Sequence, residues 1–318
     1  MMARTLEVIV EQITHETAAI KSFKLVSADR SPLPRFSGGS HITTYLQTET
    51  GFIERHYSLT SDPDNTGYYR IAVRRNEDSN GGSIYWHDHV KEGDKISISY
   101  PKNYFPLSFQ AKRHLFFAAG IGITPFLSMA KELKKKKAPF EIHYAAPSKE
   151  LCAFYRHLST FFSEETHFYF SKENKKMSTK LMENQPIGTH VYFCGPEAMI
   201  KGFADAAKVI GYSEKSIHFE LFTPPKSGPM QPFRVKLNKS NKVIEVPEGK
   251  SLLDTLLQLH IDAPYSCKIG GCGSCQLHVL KGEIDHRDFF LTEMEKKESN
   301  VILTCVSRAK SGSLVLDL

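Results

Sequence analysis

The first hundred residues alternate between apolar and polar positions in short segments, and turns rich in Gly, Pro, Asp and Asn separate these segments. Alternation of this kind predicts half-buried β-strands. Several short strands at regular spacing are typical of a small antiparallel β-barrel. The segments that we interpret as strands are 7–10, 20–25, 41–46, 55–59, 69–73 and 95–100.

The pattern changes after this region. An apolar segment at 115–118 leads into a Gly-x-Gly turn at 120–122, and a helical pattern then continues to about Lys136. Two further strands are predicted at 140–145 and 190–193, and a second helical pattern follows the latter. Strands that alternate with helices predict a Rossmann-like α/β domain with a parallel sheet.

Two turns of this α/β region are candidate cofactor sites. The turn at 120–122 joins a strand to a helix, a junction that suits a pyrophosphate. Pro125 replaces the third glycine of the dinucleotide fingerprint and no acidic residue follows at the expected distance, so an ordinary turn is an alternative. Cys194-Gly195-Pro196 follows a predicted strand, at the sheet edge where ligands bind, and a buried apolar thiol is the alternative interpretation of Cys194.

Two segments of the barrel region are also candidates. The turn Asn80-Gly81-Gly82-Ser83 precedes a helical pattern, and its backbone N–H groups can hold a phosphate. Arg55 and Arg74 carry the complementary charge, and Tyr57 offers a flat apolar face. An ordinary loop with a surface arginine is the alternative.

The last third of the chain follows a segment rich in Pro and Gly, 223–232, that predicts a semi-rigid linker. Beyond it we expect a hairpin, a helix that begins at a capping box formed by Ser251 and Asp254, and a last strand at 301–306. This order is that of a β-grasp module. The predicted domains are a barrel at 1–107, an α/β domain at 108–224, a linker at 225–232 and a β-grasp domain at 233–318.

Four of the six cysteines lie in that last domain. Cys267, Cys272 and Cys275 have the spacing Cys-x4-Cys-x2-Cys, and Cys305 follows after 29 intervening residues. Three thiolates on one loop and a fourth from a distant strand form the plant-type [2Fe–2S] arrangement. A disulfide between the first two would close a very small ring and is disfavoured in the cytosol, and structural zinc usually takes two separate cysteine pairs.

Composition adds exclusions. The 318 residues are 41% apolar and 24% charged with a net charge of +6, which is ordinary for a folded protein and not basic enough to indicate nucleic-acid binding. The longest apolar stretch, 115–130, is about 16 residues, whereas a membrane span needs about 20. Glu7 and Glu11 near the start argue against a secretory signal. We therefore expect a cytoplasmic enzyme that does not span a membrane.

Taken in order, these motifs resemble one family. They are Arg55-x-Tyr57-Ser58, Gly81-Gly82-Ser83, Gly120-Ile121-Gly122-Ile123-Thr124-Pro125, Cys194-Gly195-Pro196 and the four cysteines. Over essentially its whole length the chain resembles phthalate dioxygenase reductase and its relatives, the vanillate demethylase and carnitine monooxygenase reductases. The resemblance implies a flavin-binding barrel, a nucleotide-binding domain and a plant-type ferredoxin domain.

The resemblance also implies cofactors and their sites. FMN would lie against the barrel, NADH against the α/β domain, and the cluster on Cys267, Cys272, Cys275 and Cys305. The residues that would line the flavin are Arg55, Tyr57, Ser58, Ala72, Val73, Arg74, Gly81, Gly82, Ser83 and Phe222. The residues that would receive the pyridine dinucleotide are Gly120, Thr124, Pro125, Cys194, Gly195, Pro196 and Met199.

One position departs from the family. Many relatives carry an arginine where this chain has Asn80, which leaves Arg74 or Arg75 as charge partners for the flavin phosphate and keeps FAD as an alternative. The segment after the strand at 140–145 lacks an arginine for a 2′-phosphate. NADH is therefore favoured over NADPH, with Lys149 as the residue that could still hold a phosphate.

The expected function follows from the cofactors. NADH gives two electrons together and a [2Fe–2S] cluster accepts one, so a flavin belongs between them. We expect a reductase that supplies a Rieske-type terminal oxygenase, with a cytochrome P450 as the alternative acceptor and an iron–sulfur redox sensor as an alternative of another class. The acceptor is expected to dock near the loop 267–275.

Overall fold

The computed structural model describes residues 5–48, 51–77, 81–224, 228–310 and 312–318. They form two compact units, Met1–Glu220 and Leu221–Leu318. The first unit contains a six-stranded antiparallel sheet and a five-stranded parallel sheet, and the second contains a five-stranded mixed sheet with a short two-stranded one. The expected combination of barrel, Rossmann-like sheet and ferredoxin-type sheet is confirmed.

The antiparallel sheet has the strand order β4-β3-β6-β1-β2-β5. One core lies within it, with buried side chains from five of the six strands, among them Val8, Phe23, Ile42, Ile71 and Ile98, and partly buried side chains of β4 pack against it. This is the predicted barrel. Its elements are β1 (Thr5–Thr17), β2 (Ile20–Ser27), β3 (His41–Thr48), β4 (Gly51–Ser58), β5 (Tyr69–Arg74), the helix α1 (Gly82–Asp88) and β6 (Lys95–Ser99).

Strand β1 is much longer than the segment 7–10 predicted for it. Its pairing with β2 shifts register between Val10 and Gln12 and again between His15 and Thr17. An extra residue in a strand moves the following side chains to the opposite face, so the apolar alternation is interrupted there. The apolar alternation therefore predicts only the part of β1 that precedes the first bulge.

The parallel sheet has the order β11-β10-β7-β8-β9. Aromatic and aliphatic side chains of its central strands and of the first helix are fully buried, including Phe116, Tyr192 and Phe126. Its elements are β7 (Arg113–Ala119), α2 (Thr124–Lys136), β8 (Phe140–Ala146), α3 (Tyr155–Phe161), β9 (Thr166–Phe170), β10 (Thr189–Cys194), α4 (Glu197–Ile210) and β11 (Ile217–Glu220).

The second unit is built on the order β13-β12-β18-β14-β16. The Ser251 hydroxyl accepts a hydrogen bond from the Asp254 amide at 3.0 Å and so caps the first helix, as the sequence predicts. The elements are β12 (Phe233–Leu237), β13 (Lys242–Val246), α5 (Leu252–Gln258), β14 (Gln276–Lys281), β15 (Ile284–Asp285), α6 (Glu293–Glu298), β16 (Val301–Leu303), β17 (Arg308–Ala309) and β18 (Ser313–Leu316).

Two details of this unit differ from expectation. The strand predicted at 301–306 ends at Leu303, so Cys305 lies in a turn and not in a strand. The strand that completes the sheet is β18, which lies parallel to β12 and antiparallel to β14. Its short apolar pattern near the end of the chain was not interpreted as a strand.

Two arginines hold part of the predicted linker against the second unit. Arg287 donates to the carbonyls of Gly228 and Pro229 at 3.2 and 3.1 Å. Arg308, which is only 2% exposed, donates to the Gln231 carbonyl at 2.8 Å. Residues 225–227 of the linker lie outside the described residues. Within the described ranges, no helix is long and apolar enough to span a membrane.

Candidate functional site

The four cysteines of the second unit come together in two pairs. Cys275 Sγ and Cys305 Sγ are 3.3 Å apart, and the thiols of Cys267 and Cys272 also hydrogen-bond to each other. All four are free cysteines. Cys267 and Cys275 are buried, as is Cys305, whereas Cys272 is partly exposed. The spacing in sequence thus produces two thiol pairs on one side of the β-grasp domain.

The backbone of the loop is tightly curved where its glycines stand. Gly273 has a φ of +72°, and a Cβ there would lie 2.5 Å from the Phe290 ring. Gly270 has a φ of +83°, and a Cβ there would lie 2.7 Å from Val306. Both the left-handed conformation and the close approach require glycine. These glycines let the loop pack against the segments that contain Phe290 and Val306.

Two side chains that sequence reasoning missed support the loop. Asp288, which is buried, accepts hydrogen bonds from the Leu291 amide at 2.9 Å and from the Ser307 hydroxyl at 3.3 Å. The Thr304 hydroxyl donates to the Cys275 carbonyl at 3.1 Å. The contacts of Asp288 with Ser307 and of Thr304 with Cys275 join residues 19 and 29 positions apart, and the local sequence contains no signal for them.

The pairs fit a [2Fe–2S] cluster. Among the described residues, no three or more His, Cys, Asp or Glu side chains lie close enough together to hold a metal ion. A two-iron cluster instead takes four cysteine thiolates, and two pairs are the arrangement present. Within each pair the shared hydrogen bond lowers the pKa of one thiol, Cys272 or Cys275, and raises that of its partner, Cys267 or Cys305. Each pair thus contains a thiol that ionises readily, and the thiolate is the form that binds metal.

In the first unit, the residues predicted to line the flavin lie on two strands and one turn. Arg55, Tyr57 and Ser58 belong to β4, and Ala72, Val73 and Arg74 belong to β5. The structure brings β4 to the turn at 81–83, because a Cβ on Gly82 would lie 2.6 Å from Arg55 Nε. Gly81, with a φ of +81°, stands directly before α1. A guanidinium and a glycine turn are thus adjacent, as a phosphate site requires.

The aromatic and charged residues around this turn have distinct environments. Tyr57 lies edge-on to Trp86 with 5.8 Å between ring centroids, and burial raises its pKa above the usual range. Arg75 forms ion pairs with Glu77 and Asp88, whereas the side chain of Arg74 is exposed. Asn80, the departure from the family pattern, lies outside the described residues.

The two turns predicted to bind the nucleotide meet at the carboxyl edge of the parallel sheet. Strands β7 and β10 are neighbours, with Ala118 paired to Cys194. A Cβ on Gly122 would lie 2.7 Å from the Gly195 nitrogen and closer still to the Cys194 carbonyl. The two predicted turns are therefore in direct backbone contact.

Side chains complete this edge. The buried Thr124 hydroxyl donates to the Ile121 carbonyl at 3.0 Å, and Pro125 opens helix α2. Gly195 lies against Ala119 and the Met199 side chain. The structure thus collects Gly120, Thr124, Pro125, Cys194, Gly195, Pro196 and Met199 at one edge. Phe222 belongs to the second unit and is 43% exposed.

A carboxyl group that sequence reasoning missed lies beside Cys194. Glu220 pairs with Cys194 across β10 and β11, and burial raises the pKa of Glu220 to about 8. Burial also raises the pKa of the Cys194 thiol. Among the described residues, Glu220 Oε2 has no hydrogen-bond partner. A buried polar atom without a partner fits a bound polar ligand group such as an amide. The only signal in the sequence is an acidic residue within the aromatic segment His218-Phe219-Glu220.

Lys149, the residue considered for a 2′-phosphate, lies in the loop after β8. Its Nζ is 4.7 Å from the centroid of the Tyr155 ring. This cation–π contact occupies the ammonium group with a neighbouring aromatic face.

Comparison with known proteins places these features in context. The profile of the "2Fe-2S iron-sulfur cluster binding domain" matches residues 235–310, and that of the "Dimethylamine monooxygenase subunit DmmA-like, N-terminal domain" matches residues 98–217. The chain is 39% identical over 317 residues to the heme-dependent oxidative N-demethylase beta subunit of Ectopseudomonas mendocina, covering 100% of both chains. It is 40% identical over 305 residues to the carnitine monooxygenase reductase subunit of Acinetobacter pittii, covering 95% of this chain and 99% of the other.

The fold is similar to a solved structure of phthalate dioxygenase reductase, whose title describes a modular structure for electron transfer from pyridine nucleotides to [2Fe-2S]. The TM-score is 0.78 at 34% identity, covering 99% of this chain and 98% of the other. Barrel, nucleotide domain and cysteine-bearing ferredoxin domain together define an iron–sulfur flavoprotein oxidoreductase. The chain belongs to the family of oxygenase reductases that includes phthalate dioxygenase reductase, and its second unit is a [2Fe–2S] cluster binding domain.

Proposed function

We propose that this protein is the reductase component of an oxygenase system whose terminal oxygenase is a Rieske non-haem iron protein. Electrons pass from NADH to FMN, then to the [2Fe–2S] cluster, and then singly to the oxygenase. The observation that carries the proposal is that the two turns proposed for the nucleotide are in backbone contact, in a chain whose second unit also brings four cysteines together in two pairs.

Arg55 and the turn Gly81-Gly82-Ser83 hold the flavin phosphate and ribityl chain in this proposal. Their adjacency supports the assignment. Tyr57 lies against the flavin ring and Ser58 near its reactive edge, with Ala72, Val73 and Arg74 along the chain of the flavin. Because Arg75 is already paired with Glu77 and Asp88, Arg55 and Arg74 are the better charge partners.

The pyridine dinucleotide lies along Gly120, Thr124 and Pro125, with its nicotinamide at Cys194, Gly195, Pro196 and Met199. The domain boundaries that we propose are those expected from the sequence, 1–107, 108–224, 225–232 and 233–318. The four cysteines hold the cluster.

The chemistry comes from the cofactors: NADH supplies two electrons as a hydride, FMN accepts both and releases them one at a time, and the cluster carries one. The residues of the chain position the rings and keep water away from them. Cys194 is fully buried and Tyr57 partly buried, and burial raises the pKa of both, so both stay uncharged. The Glu220 carboxyl, whose pKa is about 8, is mostly neutral near pH 7 and can donate a hydrogen bond. No acid–base pair is needed.

An anaerobic titration of the purified protein with NADH tests the electron path. We expect flavin bands and broad cluster absorption that both bleach as NADH is added. A protein that carries both cofactors and ignores NADH would refute the reductase function and favour a redox sensor. A protein that takes up neither flavin nor iron on reconstitution would overturn the whole proposal.

The acceptor has a second candidate class. A haem enzyme is favoured by the relative that is a subunit of a heme-dependent N-demethylase, and the cytochrome P450 considered from the sequence belongs to that class. Mixing the NADH-reduced protein with a purified Rieske oxygenase component or with a haem component distinguishes them. Rapid reoxidation of the cluster by only the haem component would contradict the Rieske assignment.

We also assign the protein to the cytoplasm. NADH is available there, and the reducing environment keeps Cys152 and Cys194 as thiols and disfavours disulfides between the cysteines proposed to hold the cluster. Fractionation of cells that express the protein would test this assignment, since recovery of the flavin-containing protein outside the cytoplasmic fraction would contradict it.

A further inference from the structure

Helix α2 is bound to the barrel through one polar stripe. Ser128, Lys131, Glu132 and Lys135 are spaced i, i+3, i+4 and i+7, so they lie on the same helix face. The helix begins at Thr124, directly after the turn assigned to the dinucleotide. Its face towards the barrel therefore joins the nucleotide-binding turn to the flavin-binding strands within the first unit.

Lys131 provides the contact nearest the flavin strand. Its Nζ donates to the Thr60 carbonyl at 2.6 Å, and Thr60 is two residues beyond Ser58, the last residue of β4. Burial is the main cause that lowers the pKa of Lys131 to about 8, with Arg70 lowering it further and Asp62 opposing. His157 of helix α3 also faces this ammonium group. An ammonium group that is desolvated and aimed at one carbonyl makes a specific, directional contact.

Two glycine amides of the barrel bind the same stripe. The Gly38 amide donates to Glu132 Oε2 at 2.6 Å, and the Gly39 amide donates to Ser128 Oγ at 3.1 Å. A Cβ on Gly38 would lie 2.7 Å from Met129 Cα, so the loop lies directly on the helix backbone. These contacts fix α2 both along and across the barrel surface.

We propose that Lys131 is a positioning residue for electron transfer, which sets helix α2, and with it the dinucleotide-binding turn, against the flavin strand β4. The inference rests on the proposed sites of FMN and NADH. Lys131 is seven residues from Thr124, which is about 10 Å along the helix axis. A small shift of the helix at Lys131 is therefore transmitted to the turn, and a misplacement of about 1 Å at a reaction centre can cost about a hundredfold in rate.

The test compares Lys131→Met with Lys135→Met. Lys135 lies on the same helix face and bonds Asp62 and Asp64 at 2.8 and 3.0 Å, but its side chain is 48% exposed. Surface ion pairs contribute little, so Lys135→Met is the matched control. We expect Lys131→Met to reduce flavin at saturating NADH about ten to a hundred times more slowly than the parent, with little change in NADH affinity, and Lys131→Arg to recover most of the rate.

Hydrogen exchange supplies a readout that does not depend on turnover. If Lys131 sets the position of α2, the amides of Gly38 and Gly39 exchange several times faster in Lys131→Met than in Lys135→Met, although neither lysine bonds them. Equal rates and equal exchange in the two variants would overturn the inference. A slower reduction with unchanged Gly38 and Gly39 exchange would overturn it too, since Lys131 would then act by another route.

The test remains informative if a variant does not fold or if NADH does not reduce the parent protein. If Lys131→Met does not fold, Lys131→Gln takes its place, because its shorter side chain cannot reach Thr60 yet remains polar, and the same two measurements apply. If the parent protein itself is not reduced by NADH, the proposed function fails, whereas the exchange comparison still tests the position of α2 by itself.

Discussion

Replacing Gly122 by alanine should separate the two turns that we propose to bind the nucleotide. The new Cβ would lie 2.7 Å from the Gly195 nitrogen, against an ordinary contact of about 3.5 Å between nonbonded atoms. The atoms that this Cβ would meet, the Cys194 carbonyl and the Gly195 nitrogen, belong to the backbone, so no side-chain rotation can relieve the clash. The turns must therefore move apart by about 0.8 Å or more. A shift of that size costs about 1–3 kcal/mol as overpacking and about a hundredfold in rate if the nicotinamide is positioned there.

Stopped-flow reduction of the flavin by NADH measures this effect. We expect the Gly122→Ala variant to show weaker NADH binding and slower flavin reduction, with normal flavin content and a normal cluster spectrum, because the second unit is not touched. Gly202→Ala in helix α4 is the matched control, since a Cβ there meets nothing within 4 Å. Alanine in a helix should stabilise the protein by about 0.5–1 kcal/mol. Unchanged NADH binding and reduction in Gly122→Ala would refute the proposed contact between the turns and the dinucleotide.

Three other expectations follow from the sites. Cys275→Ser should abolish the cluster absorption while NADH still reduces the flavin, and a variant with full iron content would contradict the ligand assignment. Arg55→Met should weaken flavin binding about ten- to a hundredfold, because it removes a charge-assisted hydrogen bond of about 1.5–3 kcal/mol. Arg75→Met should leave flavin binding unchanged. Retention of flavin during dialysis measures both variants. Burial raises the pKa of Glu220 in the folded state from 4.5 to about 8. Its contribution to stability is therefore complete below about pH 4.5. As the pH rises from there towards 8, the free energy of unfolding falls by about 1.4 kcal/mol per pH unit. Thermal unfolding of Glu220→Gln should therefore show a flatter dependence on pH than that of the parent, and parallel curves would contradict the burial of this carboxyl.

The success of the sequence patterns depended on how local each feature was. The strands β2 to β6 and the helices α2 and α4 were predicted within a few residues, because their apolar periodicity is carried by consecutive positions. The long strand β1 was predicted only as far as its first bulge, since the register shift after Val10 interrupts that periodicity. Strand β18 was missed, because a short apolar pattern by itself does not indicate a partner.

The residues of the candidate sites also divide into those that the local sequence indicates and those that depend on the fold. The cysteine spacing indicated a [2Fe–2S] cluster without any knowledge of the fold, since three of the ligands share one loop. Glu220 and Lys131 were not predicted as site residues. Glu220 is defined by its place beside Cys194 on a parallel strand, and Lys131 by a carbonyl 71 residues away.

The sequence by itself determined the kinds of domain, their order and the four cysteines proposed to hold the cluster, because these depend on local periodicity, turn residues and spacing. Only the tertiary structure decided that the turns at 120–125 and 194–196 are in contact, that Arg55 lies against Gly82, and that α2 is fixed to the barrel by Lys131. The physical reason is that parallel strands and packed helices join residues far apart in the chain. Such pairings are selected by the packing of the whole core and not by any single segment.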